Sequence, residues 1–92
     1  MGNPIIGNYP MGKLFGERLR EERIKQHMTV EVVAKNCGVS RSYITLIENG
    51  RRAPGKKILA KIADALHIKV SVVLNWYLED VAQKIQKELK IS

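Results

Sequence analysis

The residues of this 92-residue chain best suited to chemistry lie between Lys35 and Gly50. Arg41, Ser42 and Thr45 sit at helical spacing, so one face carries a guanidinium and two hydroxyls. Such a face donates and accepts hydrogen bonds; it performs non-covalent recognition. No nucleophile stands beside a base, no glycine loop is built for phosphate, and no carboxylate pair suits acid–base work. The chemistry expected is therefore binding, not catalysis, and no enzyme or cofactor is expected.

The order of residues around this face describes a helix end, a tight turn and a second short helix. Gly38 can take the left-handed conformation that ends one helix. Ser40 can cap the next, and Gly50 stops it. A helix-turn-helix of this kind presents its second helix to the DNA major groove.

Charge agrees with a polyanion partner. The net charge is +7, and its excess is local. Arg51, Arg52, Lys56, Lys57, Lys61 and Lys69 face only Asp64 within residues 51–70, directly after the second helix. The plainer alternative is a basic surface that serves solubility.

The elements that position this face are predicted as five helices, an all-α fold. The first spans about Lys13 to Gln26, with Phe15, Leu19 and Ile24 as its apolar stripe. Thr29 caps the second, which ends near Asn36 and buries Val32, Val33 and Cys37. The third runs from Arg41 to about Asn49. Arg51–Gly55 is a turn-rich loop. The fourth, about Lys56 to Leu66, buries Ile58, Leu59, Ile62, Ala63 and Leu66. Ser71 is expected to cap a last helix of about 18 residues, some 27 Å long. Residues 1–12 hold three Gly and two Pro, without Lys or Arg, and read as a mobile arm or as a segment packing Ile5, Ile6 and Tyr9 on the domain.

Other classes find little support. No apolar run nears the roughly 20 residues of a membrane helix. The start lacks the regions of a signal peptide, and Ile6 stands where a myristoylation motif wants Ser or Thr. The one cysteine, Cys37, fits a reducing cytosol and a buried, inert thiol. His27 and His67 lack metal-ligand spacing with it, so no metal is expected; both follow helices, where a cation is favourable.

About residues 14–75 resemble the Cro/CI-type, or xenobiotic-response-element, helix-turn-helix regulators. The likeness is carried by Phe15-Gly-Glu-Arg-Leu-Arg-Glu-Glu-Arg23, Met28-Thr29, Val33-Ala34, Gly38-Val-Ser-Arg-Ser-Tyr-Ile44, Ile47-Glu-Asn-Gly50, Pro54 and Ile62-Ala-Asp-Ala-Leu66. It implies a compact five-helix bundle of the lambda-repressor-like type that binds double-stranded DNA. By position it implies base contacts for Arg41, Ser42, Thr45 and Leu46, the last only apolar. Arg41 can bond guanine O6 and N7 together. Phosphate contacts would come from Thr29, Asn49, Arg51, Arg52 and Lys56, and Tyr43 would lie along the backbone or pack on the domain. Arg23 and Glu48 match a bridging pair in the family, a structural fork between helices 1 and 3. Many relatives carry Gln after the cap of helix 2; here Val30 removes that phosphate clamp.

The chain thus divides into an arm (1–12), a DNA-binding domain (13–75) and an extension of the last helix (76–92). In the extension Leu74, Leu78, Val81, Ala82, Ile85 and Leu89 form one stripe, with Glu79, Asp80, Lys84, Lys87 and Lys90 off it. Either this helix folds back on helix 1, or Leu74, Leu78, Val81, Ile85 and Leu89 form the seam of a homodimer. A dimer suits a palindromic operator and a repressor. Restriction–modification controllers and antitoxins would share these features. A rival from another class is a module that binds a partner protein.

Overall fold

A computed structural model describes residues 13–89 of the chain. The arm expected over residues 1–12, with Ile5, Ile6 and Tyr9, lies outside the described residues, as does Lys90.

Five helices follow one another: α1 Phe15–Lys25, α2 Val30–Cys37, α3 Arg41–Glu48, α4 Lys56–Leu66 and α5 Val70–Leu89. Their core is built from Phe15, Leu19, Val33, Ile44, Ile47, Ile62, Leu66 and Val73, each almost fully buried. α2 packs on α3 and α4, α1 on α3 and α5, and α4 on α5. Phe15 and Trp76 meet edge to face at 6.1 Å, joining the first helix to the last.

α1 through α4 all end in the same way. His27, Gly38, Gly50 and His67 adopt positive φ, from 56° to 75°. Beyond each, a backbone N–H returns to a carbonyl five residues earlier: Met28 to Arg23, Val39 to Ala34, Arg51 to Leu46, Ile68 to Ala63. Gly38 and Gly50 were expected to stop helices; the two histidines do the same with a side chain present.

Gly16 has a separate role. A methyl group added there would meet the Ile47 carbonyl oxygen at 2.1 Å. Its missing side chain lets α1 lie against the end of α3.

Three expectations need correction. Ile24 and Val32 were assigned to buried faces, yet they are 52% and 44% exposed. Leu19 and Phe15 already fill the α1 contact, and Val33 with Ala34 and Cys37 fills that of α2, so neither residue has a neighbouring element to cover it. Ser71 does not cap the last helix. The Lys69 carbonyl accepts from Val72 and Val73 N–H instead, so α5 opens one residue before Ser71. The last helix has 20 residues, about 30 Å.

Asp80, expected only to lie off the apolar stripe, is buried, 7% exposed. Its Oδ2 accepts the Phe15 backbone N–H at 2.8 Å. Leu14 has no side-chain oxygen to cap α1, and the carboxylate comes from α5 instead. Glu17 accepts the preceding N–H, that of Leu14, at 2.9 Å.

α5 therefore has two faces. Val73, Trp76, Asp80, Gln83 and Gln86 are buried. Leu74, Leu78, Ile85 and Leu89 are 43–65% exposed, with Val81 half-buried between them. Folding back on helix 1 and presenting an outward apolar stripe proved compatible, because they use opposite sides of one helix.

Candidate nucleic-acid interface

The two turns that build this surface are locally capped. Thr29 Oγ1 accepts from Val32 N–H at 3.2 Å and Ser40 Oγ from Tyr43 N–H at 3.1 Å. Gly38, at φ 69°, turns the chain between them. Ile44 and Ile47 anchor α3 in the core, and its opposite face consists of Arg41, Ser42, Thr45, Leu46 and Asn49, all exposed. All four residues expected to read bases are thus brought onto one accessible face. Leu46, 37% exposed, adds an apolar spot to it.

Arg41 is not isolated. Its Nη1 lies 3.2 Å from Oε2 of Glu31 in the first turn of α2. Glu31 had no role in the sequence reading. Only the packing angle of α2 on α3 brings residues ten apart into contact, and no local spacing announces it. Val30, the expected departure, is half-buried against the core, so Glu31 is the first exposed side chain of α2.

Arg51 and Arg52 are exposed in the following loop, as is Lys56 at the start of α4. The loop is tied to α3 twice by Tyr43. Gly55 N–H donates to the Tyr43 hydroxyl at 3.1 Å. The Arg52 guanidinium sits 4.9 Å above the Tyr43 ring. Tyr43 is half-buried, so it packs on the domain while its hydroxyl stays beside the basic loop. Pro54, within that loop, is buried.

Arg23 sets the frame behind this surface. Its Nε and Nη2 donate to the two Glu48 carboxylate oxygens at 2.7 and 3.0 Å, and Nη1 donates to the Met28 carbonyl at 2.9 Å. The side chains are only 13% and 6% exposed. The Glu48 hydrogen bond, opposed by burial, pushes the Arg23 pKa above its ordinary value. The expected fork thus joins the end of α1, the α1–α2 turn and the end of α3. Gln26 adds a second tie, its amide donating to the Leu66 carbonyl at 2.6 Å.

Cys37, the last residue of α2, is buried, 1% exposed. Burial pushes its pKa up, and the Lys61 ammonium pulls weakly the other way. It lies in the core, behind the exposed face of α3.

Among the described residues no helix is long and apolar enough to cross a membrane. The family described as Helix-turn-helix matches residues 19–73. The chain is 36% identical over 62 residues to the ImmF control region 10 kDa protein of Bacillus phage phi105, covering 67% of this chain and 69% of that one. It is 37% identical over 62 residues to the transcriptional regulator ClgR of Mycobacterium tuberculosis, covering 67% of this chain but 55% of the regulator. Among solved structures, the restriction-modification controller protein C.AhdI of Aeromonas hydrophila superposes with a TM-score of 0.62 at 36% identity, over 64% of this chain and 89% of that one. ClgR of Corynebacterium glutamicum superposes with a TM-score of 0.65 at 28% identity, over 88% and 90%.

Proposed function

This chain belongs to the helix-turn-helix family of Cro/CI-type regulators, and from that premise we propose that it is a cytoplasmic repressor that binds a palindromic operator as a homodimer. The observation that carries this reading is the exposed polar face of α3 lying beside a basic loop locked to the same helix by Tyr43.

Arg41, Ser42, Thr45 and Leu46 meet base edges in the major groove. Arg41 reads guanine through paired hydrogen bonds, and the Thr45 methyl suits thymine. Thr29, Asn49, Arg51, Arg52 and Lys56 follow the phosphates, and the Tyr43 hydroxyl, which accepts from Gly55, donates its own proton to one of them. Leu74, Leu78, Val81, Ile85 and Leu89 pair with the same stripe of a second copy, an isologous contact that relates two α3 helices by a two-fold axis. Spaced about 34 Å apart, the two helices would enter successive major grooves. Occupancy of a promoter then excludes polymerase. The protein acts by binding, without catalysis.

Selection of bound sites from a random duplex pool tests this directly. The expected product is a two-fold symmetric site. A pool with no enriched sequence, bound with uniform affinity, would sink the specific-binder reading and leave an interaction module that contacts DNA only through charge.

The likeness to C.AhdI favours a second biology on the same chemistry, control of a restriction–modification system. In transcription with purified polymerase, stimulation from an upstream site would favour a controller; simple occlusion would favour a repressor.

A further inference from the structure

Glu31 and Arg41 occupy the first turns of α2 and α3, the two helix ends nearest the proposed DNA. Their side chains are 59% and 69% exposed. An ion pair so open to water contributes little to folding. Its effect belongs to the bound state, where DNA would cover it.

A carboxylate at this place has two consequences. It lies at the positive end of α2, where phosphate oxygen would otherwise be welcome, so it opposes any backbone phosphate that approaches without a compensating contact. It also holds one edge of the guanidinium. With Nη1 engaged by Glu31, the Nε and Nη2 groups form the remaining fork. Two parallel donors match guanine O6 and N7.

We propose that Glu31 is a specificity-determining positioning residue: it steers Arg41 into side-on contact with guanine and lowers affinity for DNA that lacks that guanine. This rests on the DNA-binding reading given above.

The test uses the full chain and three duplexes. One carries the sequence selected by the wild-type protein. One replaces its Arg41-dependent guanine with 7-deazaguanine, which lacks the N7 acceptor. One is scrambled. Glu31→Gln is expected to bind scrambled DNA about threefold more tightly at 0.1 M salt, because one repelled anion is gone. Its preference for the selected site should fall about tenfold, the scale of one paired contact, and the loss caused by 7-deazaguanine should shrink. Glu31→Asp should restore part of the preference. In an Arg41→Ala background, Glu31→Gln should still tighten scrambled DNA but leave the selected-to-scrambled ratio unchanged.

An unchanged ratio for Glu31→Gln in the otherwise wild-type chain overturns the proposal. So does a changed preference at a base pair that Arg41→Ala does not affect, which would give Glu31 a base contact of its own. If the wild-type chain selects no site, specific DNA binding itself fails. If it selects one and Glu31→Gln keeps the ratio, only the role of Glu31 fails.

Discussion

Asp80 caps a helix that begins 65 residues before it, accepting the Phe15 N–H at 2.8 Å in a buried setting. The contact couples the position of α1 to that of α5 more tightly than apolar packing alone. Lys84 Nζ, 2.9 Å from the other carboxylate oxygen, balances the charge. Replacing Asp80 with Ala should cost about 1–2 kcal/mol, the scale of a lost N-terminal cap. Asn keeps an acceptor and should cost less. Urea midpoints for the two variants check the order.

Glu48→Ala should be more severe, because Arg23 would remain buried with its carboxylate gone. About 3–5 kcal/mol is expected. Joint replacement by Arg23→Met and Glu48→Leu should recover most of it, since the pair then leaves no charge behind. Equilibrium unfolding of both variants distinguishes a framing role from a net stabilising one.

Arg41 and Arg51 should separate by phenotype. Arg41→Ala is expected to relax preference at one base pair in each half-site. Arg51→Ala should weaken all sequences alike and lower the slope of log affinity against log salt by about one. Titrations of selected and scrambled duplexes at several salt concentrations measure both. Identical behaviour of the two variants would contradict the division between base and phosphate contacts.

Ile85 is 47% exposed on the outward face of α5. Ile85→Lys should leave thermal unfolding of the dilute monomer nearly unchanged. It should abolish the dimer and reduce affinity for a two-fold site far more than for a half-site. Light scattering and binding to both duplexes check this. A monomeric wild type would overturn the dimer proposal.

The raised pKa of Cys37 gives stability a pH dependence with a definite sign. Above the ordinary thiol range the unfolded chain releases its proton while the folded chain retains it. The unfolded state gains, so this contribution falls as pH rises. The alkaline loss of stability should be smaller in Cys37→Ala, measured by urea midpoints. A thiol reagent should modify the native protein only as fast as it opens.

Much of this architecture was legible because its signals are local. Thr29, Ser40, Gly38 and Gly50 mark turns by their own chemistry, and the helices of residues 30–66 lie within one residue of expectation. The burial of Asp80 was not legible for a physical reason: the sequence shows one apolar stripe on α5, but the face that packs against α1 and α4 is the opposite one, and it admits a charge because the Phe15 N–H meets it there. His27 and His67 follow their helices as expected, but a residue with a side chain signals left-handed backbone far more weakly than glycine does. Glu31 escaped notice because its partner belongs to another helix. Arg23 and Glu48, also distant in sequence, were anticipated only through the family resemblance.

The Tyr43 clamp on the basic loop has a thermodynamic consequence. Gly55 is already bonded and Arg52 already stacked before any phosphate arrives. Little conformational entropy remains to be lost when this edge docks. Association here should resemble the meeting of two rigid bodies, without the large negative heat-capacity change that accompanies a loop folding on its target.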